Sequence, residues 1–394
     1  MEKISIHAGR QIPIPRFNVT TFLFIATIIV VITGCKKETD LTGKDLQNED
    51  YKNGSINFGK PDIVVHKNGS IQAAVNAAKP GALIHIEAGT YSEAVTVTKN
   101  GIKLVGLTNS KGEGVIIQNP GNEGTGITVL NRGNGFSLQN VTLQNFSENG
   151  IKLDSVNGFY LSHIRAVNNG GYGIYPVFSS HGVIEYCTAN GHDDTGIYVG
   201  QSSDVAIRFN QVFDNVNGIE AENATNISIT FNECYNNTLG IFADLLPGKK
   251  ITTATNVYIA KNVVKNNNHP NFSDPTDLAA VVPSGLGILI LGTDNATVER
   301  NTITGNNFSG IVVFSTLVLG TLAGVPPDAF ADIEPNPDGA KIRNNYLANN
   351  GQAPPSLPIP LPGVDLLWDG SGVGNCWSSN NFQSSYPSPL PACN

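Results

Sequence analysis

Residues 191–223, GHDDTGIYVGQSSDVAIRFNQVFDNVNGIEAEN, set one histidine and six carboxylates among small apolar residues, asparagines and glycines. His192, Asp193 and Asp194 fall in a run of turn-forming residues, while Glu220 and Glu222 stand two apart. That spacing puts both glutamates on one side of an extended strand, with Cα atoms ~6.6 Å apart. Paired carboxylates can act as acid and base on a glycosidic bond, and stacked carboxylates can hold Ca²⁺. The opposing explanation is a solvated surface, because a chain with 32 Asp and Glu groups several of them by chance.

A repeat decides how such residues are positioned. Gly-Ile steps begin at Gly150, Gly173, Gly196, Gly218, Gly240, Gly287 and Gly310, so the successive intervals are 23, 23, 22, 22, 47 and 23. A period near 22 with short strands fits one coil of a parallel β-helix, in which equivalent residues stack at ~4.8 Å. The interval of 47 is two coils, or one coil with an inserted loop such as HPNFSDPTDLAAVVPSG. The expected fold is therefore all-β: a single-stranded, right-handed parallel β-helix over 60–348, with an amphipathic capping helix from Ser70 to about Ala78 at its start.

Alignment of the coils predicts columns. Asn210, Asn232, Asn262, Asn301 and Asn345 form an asparagine ladder at one corner, with Cys187 in the same position one coil earlier. Cys234 falls in a core column with Val212, Val264 and Ile303. On the Gly-Ile strands the isoleucine points inward, so Lys152, Tyr175, Tyr198, Glu220 and Phe242 make one exposed column and Asp154, Val177, Gly200, Glu222 and Asp244 a second. The two columns predict a solvent-facing wall. Glu220, Glu222, Asp244 and His192 are its candidate catalytic residues, and Tyr175, Tyr198, Asp193 and Asp194 its candidate substrate contacts. Tyrosine rings stack on sugar C–H faces, so an extended oligosaccharide along the helix axis is the expected ligand.

Composition narrows the partners. The chain has 394 residues, 42 Gly, one Met and only 14% charged residues, with a formal net charge of −8. That argues for a folded β protein and against nucleic acid as a partner, since no basic stripe exists to neutralise phosphates. No cofactor is required by any motif; Ca²⁺ is the one the stacked carboxylates suggest. At the N-terminus, Lys3, Arg10 and Arg16 precede the apolar run FLFIATIIVVITGC, which has the length of a secretory h-region. Residues 1–34 are expected to be a signal peptide and 35–59 a flexible tether. A disulfide between Cys376 and Cys393 is expected in the tail, 349–394.

Several of these motifs resemble known families. VITGC, ending at Cys35, resembles the bacterial lipobox, which implies lipidation of Cys35, attachment to a membrane, and a place in the outer membrane or periplasm or on the cell surface. The segments IQAAVNAAKPGALIHIEAGTY, YGIYPVFSSHGVIEYC, DDTGIYVGQS and LLWDGSGVGNCWSS together resemble the pectin-lyase-like right-handed β-helix proteins, and more narrowly a bacterial lipoprotein family with parallel β-helix repeats. The wider group includes polyuronate lyases, polygalacturonases, alginate epimerases, tailspikes and copper-accessory proteins, so the fold alone does not select a reaction. Where the epimerases carry Asp-Pro-His-Asp, this chain has Tyr175-Pro176-Val177-Phe178, and it lacks the Arg-Ile-Lys of polygalacturonases. Two functions follow: an envelope lipoprotein that binds, and in the stronger form cleaves or modifies, an acidic polysaccharide; or a non-catalytic envelope scaffold.

Overall fold

The computed structural model describes residues 59–394. The expected signal segment, Cys35 and nearly all of the tether lie outside the described residues.

Each turn of the chain supplies three short strands that pair in parallel with the same strands one coil on. On the face of interest the ladder runs Ile174↔Ile197↔Ile219↔Ile241↔Ile288↔Ile311↔Leu366, so one aliphatic column lines the interior. All of these side chains are buried, each contributing roughly 1.5–3 kcal/mol of apolar burial. A second face carries Ile184, Ile207, Ile229 and Ile259 inward, and a third Ala189, Val212, Cys234 and Val264. Cys187 and Cys234 are buried thiols.

The 47-residue interval is a single coil, because Ile241 pairs directly with Ile288. Its surplus forms two loops, 245–254 and 266–285. After one ordinary coil, in which Ile288 pairs with Ile311, the following coil is enlarged in the same way, since Ser309–Phe314 pairs with Val364–Trp368 across the loops 315–340 and 349–363. These loops include the short helices Leu278–Val281, Val318–Leu322 and Pro327–Phe330. Segment 349–394, expected as a C-terminal cap and tail, adds strands to the solenoid: Val364–Trp368, Cys376–Ser378 and Ser385–Tyr386 all join the sheets. Cys376 and Cys393 are disulfide-bonded.

Two asparagine ladders hold the coils at their corners. In the first, each amide oxygen accepts from the backbone N–H and Nδ2 of the preceding rung, running Asn210, Asn232, Asn262, Asn301, Asn345, Asn380. The second, which the sequence reading missed, runs Asn215, Asn237, Asn267, Asn306, Asn350. It accounts for the glycine of the Gly-Ile step. A Cβ on Gly196, Gly218, Gly240 or Gly287 would press on the ladder amide of Asn215, Asn237, Asn267 or Asn306. Before each rung the chain turns through a left-handed residue, for example Phe209 (φ 57°) before Asn210 and Asp214 (φ 57°) before Asn215.

The capping helix is Ile71–Ala77, with Ser70 as N-cap accepting from the Ala73 N–H. Glu93 accepts from the N–H groups of Ile71 and Gln72, satisfying two more free donors of the first turn. Ile71 and Val75 are buried against the first coils, where the helix covers the open end of the core.

Candidate functional site

The outward side of the Gly-Ile face is a grid with three side chains per coil. Successive rows read Tyr172, Tyr175, Val177; Thr195, Tyr198, Gly200; Asn217, Glu220, Glu222; Leu239, Phe242, Asp244; Leu286, Leu289, Leu291; and Ser309, Val312, Phe314. Aromatic rows thus give way to polar ones and then to apolar ones. The register places Glu222 directly beside Asp244, as the coil alignment predicts.

Exposure is where the structure departs from the expected wall. Tyr198, Glu220, Glu222, Asp244 and Phe242 are all buried, and only Lys152, Asp154, Tyr172 and Tyr175 keep part of their surface open. The loops of the enlarged coils are the reason. Phe242, Leu246, Leu289, Val312, Phe314, Leu319 and Phe330 form a second apolar cluster on the outside of the sheet. Cluster and loops clad the C-terminal rows of the grid and leave the N-terminal rows bare. The edge of the cladding is pinned by Asn223, which pairs with the backbone of Leu246 and Ile251, and by Gln201, which accepts from the N–H groups of Lys250 and Ile251.

Tyr198 does not stand out toward solvent. Its ring lies along the sheet over Gly200, where a Cβ would collide with its hydroxyl, and that hydroxyl donates to Glu222 Oε1 at 2.8 Å. Tyr172 and Tyr175 stack at 4.4 Å between centroids, and Tyr175 meets Tyr198 at 4.8 Å. Thr195 donates to Glu220, which also accepts from Asn217 Nδ2 at 3.3 Å. From the loop 245–254, Lys249 Nζ reaches Glu222 at 2.9 Å. Oxygens of Glu220, Glu222 and Asp244 lie within 4.8 Å of one another. Both oxygens of Asp244 are buried without a hydrogen-bond partner.

Crowding carboxylates in a water-poor site disfavours their charged forms. Burial, then the Asp194 and Glu222 charges, push Glu220 well above the usual carboxylate range. Burial, then Glu220 and Glu222, do the same to Asp244. Asp194 rises to about 6 through burial, against hydrogen bonds from Tyr172 and Thr195. Burial would lower Lys249, but Glu222 outweighs it and the ammonium is held charged. Burial followed by Glu222 pushes Tyr175 up to about 12, so its phenol is a neutral donor near neutral pH.

The other candidates separate. Asp194 joins the cluster through Tyr172 and Thr195. Asp193 is only partly buried; burial, then the Asp277 and Asp274 charges of the loop 266–285, raise its carboxyl. His192 leaves the site altogether. It is a rung of the second ladder, with its backbone N–H bonded to Asn215 Oδ1, Nδ1 2.9 Å from the Asn169 carbonyl, and Nε2 against the Ala166 carbonyl. Burial lowers it to about 4, so it is a neutral structural imidazole and not a catalytic base of the cluster. Tyr172, Thr195, Asn217 and Lys249 were missed. The first three occupy the residue just before each Gly-Ile step, a signal the same alignment contained; Lys249 sits in an insertion with no repeat to place it.

Residues 83–245 match the family model described as right handed beta helix region. No curated protein matches the sequence. Among solved structures, the chain is similar to the A-module of the mannuronan C-5 epimerase AlgE4 of Azotobacter vinelandii, with a TM-score of 0.54 and 14% identity over 80% of this chain and 93% of that one. It is also similar to DFA-IIIase from Arthrobacter chlorophenolicus A6, solved without its lid in complex with GF2, with a TM-score of 0.55 and 14% identity over 84% and 88% of the two chains. At such identity the likeness establishes the fold and its right hand.

Proposed function

From a chain that is a right-handed parallel β-helix with one outer face half bare and half clad, we propose that the protein binds, and acts on, the end of a hydroxyl-rich polysaccharide. The observation that carries this reading is the junction itself. A stacked, partly open Tyr172–Tyr175 pair stands beside the half-buried Asp194, and Glu220, Glu222 and Asp244 lie buried next to it where the cladding begins. Rings of this kind supply apolar area for a sugar face, and carboxylates accept strong hydrogen bonds from sugar hydroxyls. Four carboxylates face one ammonium, so a neutral glycan suits the cleft better than the acidic one suggested by the sequence. The epimerase module named for mannuronan shares the fold, which supports a polysaccharide as the ligand class. Glu220, Glu222 and Asp244 are buried, so a sugar on this face meets the tyrosine pair and Asp194 first. Binding is therefore the primary role, and turnover would pair Asp194 with one of the glutamates.

The reading places the domain outside the cytoplasm, held by a lipid on Cys35. The Cys376–Cys393 disulfide supports an oxidising compartment. The test is a glycan array and reducing-end assay on the protein lacking its leader. A ligand should be found, and Tyr175→Ala should weaken it about tenfold while Lys67→Ala, in the exposed turn before the capping helix, leaves it unchanged. No binding to any glycan, or equal binding by Tyr175→Ala, would favour the scaffold function. Cys35→Ser in the full chain should release it from membranes.

A further inference from the structure

We propose that Glu220, Glu222 and Asp244 form a site for a hard divalent cation of the calcium type, and that Lys249 is the internal counter-charge that such an ion displaces from Glu222. The site shares carboxylates with the glycan cleft but needs no glycan to be tested, so the two readings fail separately.

The register brings the three carboxylates together. Glu220 and Glu222 alternate on one strand, and Asp244 is stacked beside Glu222 on the next. Two of them are provided for: Glu220 accepts from Thr195 and Asn217, and Glu222 from Tyr198 and Lys249. Asp244 has nothing. It is fully buried and neither oxygen has a hydrogen-bond partner, a condition shared on this face by the buried Asn217 Oδ1. An unpaired carboxylate out of reach of water is strongly unfavourable unless a cation or a proton joins it. A proton would occupy one Asp244 oxygen and leave the other unmet. A cation among the three groups serves both.

The donor set selects the ion. Among the described residues the ligands available are oxygens: carboxylates and the unpaired Asn217 Oδ1, with the Tyr198 and Thr195 hydroxyls behind them. His192 faces the interior ladder, and the thiols of Cys187 and Cys234 are in the core, so no nitrogen or sulfur ligand is offered. Carboxylate oxygens on a flexible array suit Ca²⁺, which accepts irregular coordination and completes its shell with water or sugar hydroxyls. Lys249 has room to leave, since its side chain is one-third exposed and borders an apolar pocket of about 330 Å³ with Leu246, Leu278 and Leu319. The trio Asp294, Glu334 and Asp338, of which only Glu334 is exposed, has no comparable orphan, because Asp294 and Asp338 accept backbone N–H groups.

Terbium(III) alone, a calcium-sized oxygen-seeking ion, is the probe. Tyr198 is bonded to a proposed ligand, so tyrosine excitation of the domain should yield saturable terbium emission, and Ca²⁺ should reverse it. Asp244→Asn should weaken the ion at least about tenfold, as should Glu222→Gln should the first variant fold poorly. Lys249→Met should tighten it several-fold by removing the competing ammonium, and Asp338→Asn should leave it unchanged. Ca²⁺ should also raise the melting temperature of the wild type but not of Asp244→Asn. Absence of saturable emission at millimolar ion, unaltered emission in both Asp244→Asn and Glu222→Gln, or weaker binding in Lys249→Met would overturn the proposal.

Discussion

Replacing His192 by asparagine should make the protein less sensitive to acid without weakening it at neutral pH. His192 stands where every other rung of the second ladder is an asparagine, its ring enclosed and its pKa lowered from 6.5 to about 4 by burial. In the unfolded chain the same imidazole takes a proton near 6.5, so on acidification the unfolded state binds a proton that the native state refuses. Stability contributed by the neutral ring is complete above pH 6.5 and is lost as the pH falls toward 4. One pKa unit corresponds to about 1.4 kcal/mol, so the loss between pH 7 and pH 5 is roughly 2 kcal/mol and approaches about 3 kcal/mol below pH 4. An asparagine at 192 has no proton to gain, and its amide would continue the ladder between Asn169 and Asn215. Urea unfolding of the wild type and His192→Asn at pH 7 and pH 5 measures the difference directly. Nearly equal stabilities at pH 7 and a variant more stable by roughly 2 kcal/mol at pH 5 are expected. The same acid slope in both proteins, or a His192 ring that titrates near 6.5 by NMR in the native state, would refute the reasoning.

Two further outcomes are expected from the packing. Gly200→Ala should drive the Tyr198 ring off the sheet and break its bond to Glu222, costing roughly 1–3 kcal/mol. Because Tyr198→Ala removes the colliding ring, the double variant should be more stable than the sum of the singles allows; strict additivity would show that the ring does not lie over Gly200. Asn232→Ala should cost about 3 kcal/mol in thermal or chemical unfolding, since it strips partners from the Asn210 N–H and amide and from the Ile207 carbonyl, all of them buried. A loss under about 0.5 kcal/mol, typical of surface positions, would mean that the ladder amides are replaceable by water.

The fold was legible because a coil repeats its own instructions. Gly-Ile at a near-constant interval, an asparagine three residues after an aliphatic, and two isolated cysteines in aligned columns each restate the same register. The capping helix was visible through Ser70 and the Pro80-Gly81 stop. Two features of the site were less accessible. Columns predict which side of a strand a residue faces, but not whether that side meets water, and the loops 245–254, 266–285, 315–340 and 349–363 belong to no repeat. Glu220, Glu222 and Asp244 were therefore correctly aligned and wrongly exposed. His192 misled through its neighbours: beside Asp193 and Asp194 it looked catalytic, whereas counting 23 residues to Asn169 and Asn215 identifies it as a ladder rung. The second ladder went unread because its asparagines follow turn residues that are themselves often asparagine, as in Asn236-Asn237 and Asn266-Asn267.

The ladders have a mechanical consequence. Buried asparagine rungs, external cladding and the disulfide all belong to the later coils, while the coils from Leu83 to Asp154 are joined by strand pairing, core contacts and only the surface run Asn100, Asn134, Asn157, each of the first two accepting from the backbone N–H of the next. A solenoid transmits load only from neighbour to neighbour. A pull applied at the N-terminal end would therefore meet the helix Ile71–Ala77 first, then the soft coils one at a time, and would stall where the rungs begin, beside Tyr172 and Asp194. The early coils would act as a spring, and the cleft would keep its shape while they stretch.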